Sequence, residues 1–589
     1  PNPNHFARIG SSGGTFTIFS NQVLANSDFF IGAFPAEYGN ATAGVFDISF
    51  RNGNNEQREY AFQAGVLGFD FAAEGPFRQG GKASYLVNYR FATLNLVNYL
   101  IDYISVPTYS DLSFKLHLPT EKAGTFSIFG IGGLSNRLKT AEPDSSLWVE
   151  DLDRFENRLR SDMGVGGITH TYLLGGRSVI KSALVGSYAF LQDNKRYLEE
   201  DLEFRQREIR EYRRQPLTAS TSITHTFSPR HTNKTGVMIT RTHHDYTAED
   251  YDYVENRQFT LSDEAGVTHT VQAYTQSQFR LGNRWTLNAG LHYLYYDLND
   301  RQSLEPRLSL RVQLDPRQSL AIGYGMHSRV EHWATYMTRF QEANGYTLPN
   351  LNLDFVRAHH GVLSYQAMLS DHMRFRAEAY YQHLFSVPVE AGGTYSVLNL
   401  EEVNQLRVLV NEGSGRNYGI DAGLERFSRH GFYYMLNGSL FNSTYTDANG
   451  TRHNTAFNTG YQANFLLGKE YKIGKKRGFN SLLGLNGAFT LTGGQRFTPI
   501  DPVASALARE TVVDERFPFQ GQDAPLFVFD FTLTLHRNKP KRTGIWAIQI
   551  KNLFQSAPAE YREWDAYLNE VVTLRGSGIL PLLSYKVEF

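Results

Sequence analysis

The sequence predicts an all-β transmembrane protein, a large antiparallel β-barrel of the outer-membrane type. From Leu583 to Phe589 apolar and polar residues alternate strictly up to the last position. A closing barrel strand has this pattern, because it pairs with the first strand and faces lipid with every second side chain. Aromatic residues make up 14% of the chain, yet no run of about 18 apolar residues occurs. Helical membrane spans are therefore excluded.

Composition excludes several other classes of protein. The chain has no cysteine, so disulfides, thiol chemistry and thiolate metal sites are absent. Its formal net charge of −1 gives no sign of nucleic-acid binding. No signal peptide begins at Pro1, although a barrel must be exported, so we expect a processed chain or a fragment. Composition alone is equally compatible with a large soluble all-β protein, and the strand pattern decides between the two.

The clearest strand pair is the hairpin at residues 307–327. Apolar and polar residues alternate on both sides of a tight turn at 315–317, which is the signal of a β-hairpin. One of the two alternating sets carries arginines, and residues 373–382 repeat the pattern. A wet lumen tolerates such charges, whereas a dry core does not. We expect lipid contact for Leu308, Leu310, Val312, Leu583, Tyr585 and Phe589, and lumenal positions for Arg307, Arg311, Arg374, Arg376 and Glu378.

Short turns alternate with long connections, which is typical of outer-membrane barrels with short periplasmic turns and long external loops. Ten short turns each join two strands, and one further strand at each end of the barrel brings the prediction to about 22 strands. The last strand should pair with the first one, near residues 58–68. Predicted short turns lie at 77–82, 120–124, 174–177, 228–233, 282–284, 315–317, 370–371, 429–430, 469–478 and 538–542. Predicted long connections lie at 139–153, 193–206, 248–263, 331–354, 388–414, 493–523 and 556–574.

Residues 1–54 have a different pattern from the strands that follow them. They are rich in glycine and asparagine, and they contain two short strands, near 29–34 and 43–50, joined by a Pro/Gly turn. A barrel of about 22 strands is too wide for side chains to fill, so it needs a plug. We therefore predict that residues 1–54 lie inside the lumen and that residues 55–589 form the barrel.

Residues 1–54 resemble the second half of the plug of TonB-dependent outer-membrane receptors, in which a Phe-Pro turn ends in Tyr-Gly before a strand leads into the barrel. Later segments resemble the same family and follow the family's order along the chain. The segment 349–353 with 357–360 resembles receptors of the Bacteroidota branch in particular. These segments are 73–81, 349–353 with 357–360, 551–554 and 578–581.

The resemblance implies an outer-membrane receptor that takes up a scarce or large nutrient, such as a siderophore, vitamin, glycan or peptide, with no enzymatic activity and no cofactor. It implies energy coupling by the TonB–ExbB–ExbD complex through a segment upstream of Pro1. Further implied partners are a surface lipoprotein, lipopolysaccharide and the barrel-assembly machinery, which would recognise Phe589. The alternative is a non-transporting barrel that serves as a structural or docking subunit of an outer-membrane complex.

The family places ligand contacts on plug apices and on the inner faces of outer loops. In this sequence the plug apices correspond to Asn2, Asn4, His5, Phe6, Phe19 and Asn21, and the loop candidates are Trp333, Tyr336 and Tyr346. The plug residues could equally serve only to hydrogen-bond the plug to the barrel wall.

Three further segments contain histidines or charged residues, but ordinary structural roles explain them better than ligand binding does. The sequence His243–His244–Asp245 lacks fixed ligand spacing, and the neighbours His359 and His360 point to opposite faces of a strand, so neither predicts a metal site. The run 193–214 mixes both signs of charge and predicts an outer loop, either solvated or in contact with lipopolysaccharide. No nucleophile elbow or phosphate loop occurs.

Overall fold

The protein forms a closed barrel of 22 antiparallel strands, as predicted. The computed structural model describes residues 2–11, 13–14, 16–93, 107–399, 403, 406–476, 479–557, 559–576 and 578–589. The strands are β1 Glu59–Gly65, β2 Gly68–Pro76, β3 Ser84–Thr93, β4 Thr108–Pro119, β5 Thr125–Lys139, β6 Phe155–Leu174, β7 Ser178–Leu198, β8 Phe204–Ser228, β9 His231–Asp252, β10 Arg257–Leu281, β11 Trp285–Tyr296, β12 Arg301–Asp315, β13 Gln318–Arg329, β14 Val356–Ser370, β15 Met373–Glu390, β16 Leu409–Arg429, β17 Phe432–Thr446, β18 Tyr461–Lys476, β19 Phe479–Thr492, β20 Leu526–Lys539, β21 Arg542–Lys551 and β22 Leu580–Glu588.

The ring closes where β22 pairs with β1, as the alternating C-terminal sequence predicts. Ser584 lies opposite Gly65 and Glu588 opposite Ala61. The last residue extends the ladder, because the Phe589 amide donates to the Tyr60 carbonyl at 2.9 Å and the Tyr60 amide donates back. Closure matters because an open edge in hydrocarbon would leave backbone donors and acceptors without partners.

Side chains alternate between the lumen and the outer wall in the predicted register. On β12, Leu308 is 50% exposed on the outer wall, whereas Arg307 is buried and bonds the N-terminal segment. On β15, Gln382 donates to the Thr42 carbonyl of that segment, so the same face of the strand, with Arg374, Arg376 and Glu378, is lumenal. Leu583 and Phe589 face outward, as expected.

Most predicted turns and long connections agree with the structure, and three need correction. The predicted turn 469–478 begins too early, because β18 continues to Lys476. The charged run 193–214 is mainly strand, since β7 reaches Leu198 and β8 begins at Phe204. Opposite charges pair across these strands, as in Lys195 with Glu208 at 2.5 Å, so the run forms a ladder instead of a solvated loop. Likewise, the predicted connection 248–263 shrinks to a turn at 253–256 between β9 and β10.

Residues 2–54, called here the N-terminal segment, cross the lumen. Asn4–His5 pairs with Phe16–Thr17, and Asp28–Ile31 pairs with Gly44–Asp47. The segment bonds inward-facing side chains of β2 to β5 on one side and of β9 to β12 and β15 on the other. Contacts with distant parts of one ring place the segment inside it. That it is half of a plug stays a prediction.

Helices and small hairpins occur in the connections. None of the helices in the described ranges is both long and apolar enough to cross a membrane. The helices are α1 Trp333–Tyr336 and α2 Pro502–Ala508, with 3-10 turns at Ser145–Leu147, Asp151–Arg154, Pro349–Asn352 and Val397–Asn399. Short strands pair as Phe340–Glu342 with Gly345–Thr347, Arg496–Phe497 with Gly521–Gln522, and Ala559–Asp565 with Glu570–Arg575, while Arg452–Asn454 extends the edge of β17.

Candidate functional site

The connection 330–355 between β13 and β14 folds back against the lumenal face of the wall. Its helix α1 is wholly buried, and Tyr336 and Phe355 are among the most enclosed side chains described. They pack with inward-facing aromatic and aliphatic side chains of β8 to β11, β14 and β15. We call residues 330–355 the inward loop. Because burial of apolar side chains holds the inward loop against the wall, the loop narrows the lumen.

Trp333 fixes the inward loop to β9 and β10. Its indole stacks on the His244 ring with centroids 4.4 Å apart and planes 7° apart. His244 shares hydrogen bonds with the Tyr212 hydroxyl at 2.7 Å and with the Thr268 hydroxyl at 3.0 Å. Gly266 on β10 leaves room for the indole, since a Cβ there would lie 2.8 Å from it. The wall is therefore shaped to receive this tryptophan.

Polar contacts hold the rest of the inward loop. Arg339 forms an ion pair with Glu264 of β10 at 2.9 Å. The Asn299 amide donates to the Leu353 carbonyl at 2.7 Å. Asn350 connects the loop to β16 by accepting from the Leu409 amide at 2.9 Å. The loop is thus anchored at both of its ends.

Buried charges fix one half of the N-terminal segment to β12. Arg307 donates to the carbonyl oxygens of Phe34, Pro35 and Tyr38. The guanidinium also pairs with Glu305 at 2.7 Å, and the Glu305 side chain is fully enclosed. Charge-assisted bonds of this kind are the stronger hydrogen bonds in proteins, so this half of the segment is firmly held.

A second set of charges fixes the other half to β2, β3 and β4. His5 bonds Asp111 at 3.1 Å, and Arg90 pairs with the same carboxylate at 2.8 Å. Arg51 forms a two-point pair with Glu74, at 2.6 Å for each nitrogen. The N-terminal segment is therefore bonded across the lumen rather than loosely enclosed.

A cavity of about 700 Å³ lies between the N-terminal segment, the inward loop and the wall. Gly10 and Asn40 line it from the segment, and His332, Trp333 and Thr335 line it from the inward loop. The wall contributes a set of hydroxyl groups on β7 to β10, and Arg214 stands among them. These hydroxyl residues are Ser187, Thr218, Ser220, Thr240, Thr242, Thr268 and Thr270.

The cavity carries one cation that no described carboxylate neutralises. Arg329 is paired with Glu331 at 2.9 Å. Arg214, on the lumenal face of β8, forms no ion pair within the described ranges. A guanidinium beside hydroxyl groups can bind a planar anionic group while the hydroxyls donate or accept further bonds. The cavity is thus suited to a polar ligand that carries negative charge.

His332 at the start of α1 is held neutral. Burial, together with the charges of Arg214 and Arg329, lowers the pKa of His332 to about 3. The Ala334 amide donates to His332 Nδ1 at 3.2 Å, which requires that nitrogen to be unprotonated. Packing of the inward loop is therefore coupled to deprotonation of this ring.

We expect the inward loop to loosen as pH falls. A released His332 binds a proton below its ordinary pKa of about 6.5, whereas the packed ring does so only near 3. Packing is therefore strongest above pH 6.5 and weakens between 6.5 and 3. Hydrogen exchange of residues 330–355, corrected for intrinsic rates, should be faster at pH 4.5 than at pH 7.5. His332→Gln should show a smaller pH effect, and equal pH effects in both proteins would contradict this explanation.

The residues predicted from sequence as ligand contacts lie in different places. Asn2 and Asn4 bond each other inside the N-terminal segment at 2.8 Å. His5 and Phe6 are buried against the wall, Phe19 packs beside Phe50, and Asn21 is exposed. Tyr336 is buried within the inward loop, and Tyr346 is exposed beside Arg339. Of these residues, only Trp333 lines the cavity.

Arg214 and the wall hydroxyls are not among the ligand contacts predicted from the sequence. Their signal is a period of two: threonine or serine recurs at alternate positions in 218–222, 240–242 and 268–270. In a barrel strand such a set faces one side. Within the described residues, no group of three or more histidine, aspartate or glutamate side chains could hold a metal ion.

A closed barrel whose lumen holds a bonded chain segment and a polar cavity has the architecture of an outer-membrane receptor. Residues 5–553 match the profile of the family described as "TonB dependent receptor-like, beta-barrel", so the chain belongs to that family. No curated protein matches the chain significantly.

Solved structures share the fold at low sequence identity. The ferripyoverdine receptor of the outer membrane of Pseudomonas aeruginosa has a TM-score of 0.69 at 10% identity, over 96% of this chain and 76% of its own. The outer membrane transporter YddB from Escherichia coli has 0.67 at 11%, over 100% and 89%. The ferric yersiniabactin uptake receptor FyuA from Yersinia pestis has 0.66 at 13%, over 96% and 85%. At these identities the likeness shows the fold alone.

Proposed function

We propose that this TonB-dependent receptor binds its nutrient in the lumenal cavity beside Arg214 and carries it across the outer membrane. The observation that carries the proposal is the cavity itself, which lies between the N-terminal segment and the inward loop. Its volume of about 700 Å³ falls within the range of small-molecule sites. A ligand in this cavity touches both the N-terminal segment and the inward loop, which together obstruct the lumen.

The ligand in this proposal has an anionic group and several hydrogen-bonding groups. Arg214 binds the anionic group, and the threonine and serine hydroxyls of β7 to β10 bind the rest. The names of the ferripyoverdine and ferric yersiniabactin receptors say that those proteins handle ferric compounds. We therefore put anionic iron chelates first among siderophores, vitamins, glycans and peptides.

Transport in this proposal requires work on the N-terminal segment. The segment is held by Arg307 on one side and by the His5, Arg90 and Arg51 contacts on the other. Removing or reshaping it breaks charge-assisted bonds, and those of Arg307 and His5 are between buried groups. We propose that TonB, energised by ExbB and ExbD, supplies this work by pulling on chain upstream of Pro1.

We expect Arg214→Met to weaken uptake by reducing affinity. Loss of a hydrogen bond to a charged group removes about 1.5–3 kcal/mol, so half-maximal uptake should need roughly 10- to 100-fold more ligand. A deletion strain grown on defined nutrient sources identifies the ligand, and complementation with each variant supplies the uptake curve. Arg213→Met is the matched control, because Arg213 lies on the outer wall and pairs with Asp245 at 2.8 Å. Equal curves for both variants would contradict the assignment of the cavity.

A further inference from the structure

Five glycines form a continuous patch on the membrane-facing side of β5, β6 and β7. Gly132 lies opposite Gly164, Gly130 opposite Gly166, and Gly166 opposite Gly186. The patch faces outward, because Gly132 also pairs with Leu112, whose side chain is exposed on the outer wall. The alternate residues of the same strands, such as Ile131 and Met163, pack inward against the N-terminal segment.

Backbone conformation explains none of the five glycines, and packing does not explain Gly164, Gly166 and Gly186. None of the five has a positive φ. A Cβ built at Gly164 or Gly186 would meet nothing within 4 Å, and at Gly166 the nearest atom is 3.8 Å away. Glycine inside a strand weakens it, and it commonly marks a place where a ligand or another chain approaches the backbone closely. The described residues place no such group over Gly164, Gly166 or Gly186.

The glycines form the floor of an apolar groove of about 720 Å³ on the outer wall. Leu112 and Phe114 border it on the β4 side, and Leu134 and Tyr188 border it elsewhere. The Phe114 ring lies across Gly130, since a Cβ at that glycine would be 2.4 Å from it. The groove is therefore a shaped hollow in the surface that faces hydrocarbon.

Arginines stand immediately above the groove, toward the end of the barrel that carries the long connections. Arg158 and Arg160 share the outward face of β6 with Gly164 and Gly166, and a second hollow of about 400 Å³ between them and Leu134 continues the groove. Arg160 pairs with Asp162 at 2.6 Å, whereas Arg158 is exposed and has no ion pair in the described ranges.

The glycine groove and the two arginines lie at depths that match the hydrocarbon layer and the headgroup layer of a membrane. A strand crosses the hydrocarbon in about 9–11 residues. Counted back from Leu174 at the short-turn end of β6, Gly166 is 8 residues away and Arg160 is 14 (174 − 166 and 174 − 160). The glycines thus lie in the apolar layer, and the arginines lie beyond it on the side of the long connections, which faces outward in such barrels.

We propose that this surface binds one molecule of lipopolysaccharide, the phosphorylated lipid of the outer leaflet. Its acyl chains occupy the glycine groove, and a phosphate group is bound by Arg158 and Arg160, whose guanidinium groups suit phosphate oxygens. A second copy of the chain fits the surface less well. Two copies in one membrane are related by an axis along the membrane normal, so arginines would meet arginines at the same depth.

The test compares the lipid retained by the purified full-length protein and by variants of it. Wild-type protein extracted in mild detergent should retain about one lipopolysaccharide molecule per chain by native mass spectrometry. Gly164→Leu with Gly186→Leu fills the groove, and Arg158→Gln with Arg160→Gln removes the charge. Each pair should reduce retention at least tenfold. Added phosphatidylglycerol should not displace the bound lipid.

Matched controls separate binding from folding. Gly361→Leu alters an outward glycine of β14 that also has nothing within 4 Å of its Cβ position. Arg416→Gln removes an outward, exposed arginine of β16. Both should retain lipid as the wild type does, and all variants should keep heat-modifiable migration on gels, which reports the folded barrel.

Three outcomes would overturn the proposal. Wild-type retention in the groove-filled protein would show that the glycines bind no acyl chain. Equal binding of phosphatidylglycerol would show only a general affinity for anionic lipid. Cross-linked dimers that disappear in the glycine variants would show that the patch joins two copies instead.

Discussion

Replacing Arg307 with leucine should open an ion-conducting path through the barrel. Arg307 holds three carbonyl groups of the N-terminal segment, and it neutralises the fully buried Glu305. Breaking one partner of a buried ion pair costs about 3–5 kcal/mol, so this half of the segment should detach from β12. In planar bilayers the wild type should conduct little, and Arg307→Leu should show frequent long openings.

Arg311→Leu is the control for this result. Arg311 faces the same lumen on the same strand, but it is exposed and donates only to the Ser319 hydroxyl, at 3.1 Å. We expect its conductance to match that of the wild type. Similar conductance in the two leucine variants would mean that Arg307 does not hold the N-terminal segment in place.

Replacing Phe589 with alanine should reduce the amount of assembled barrel several-fold while leaving each folded molecule unchanged. The backbone of Phe589 pairs with Tyr60, and alanine keeps both of those bonds. Phe589 is 58% exposed on the outer wall, so loss of its ring removes little packing from the folded protein. A strong effect would therefore arise during assembly, as we propose from the resemblance to the terminal signal of outer-membrane proteins.

Heat-modifiable folded protein and ligand uptake per folded molecule should be measured side by side. The conservative variant Phe589→Tyr should assemble normally, because it preserves a terminal aromatic ring. Normal assembly of Phe589→Ala with impaired uptake per molecule would contradict the proposed role of this ring.

The barrel could be predicted from the sequence because a strand with one face in lipid must alternate. That constraint gave the strand count, the closing pair of β22 with β1 and the facing of Arg307 against Leu308. It failed at 193–206 and 248–263, where the charged residues predict loops but the structure has strands. There the charges pair across strands, as Lys195 does with Glu208, and long strands extend above the membrane.

The cavity could not be predicted in the same way. It depends on the inward loop folding back, and that depends on contacts between residues far apart in sequence, such as Trp333 with His244 and Gly266. A single sequence shows that Trp333 lies in a long connection, but not which wall strands it meets. The alternating threonine and serine residues of β8, β9 and β10 are the sequence signal for a polar lumenal surface near the site.

Uptake by this receptor should be energised and saturable, and accumulation of its nutrient in cells reports both properties. Accumulation of the growth-supporting nutrient should be followed in cells that express this protein, with and without collapse of the proton gradient. We expect uptake to saturate with concentration, to exceed equilibration and to stop when the gradient is collapsed. Uptake that rises linearly with concentration and continues after the collapse would show a passive pore, and it would contradict this account.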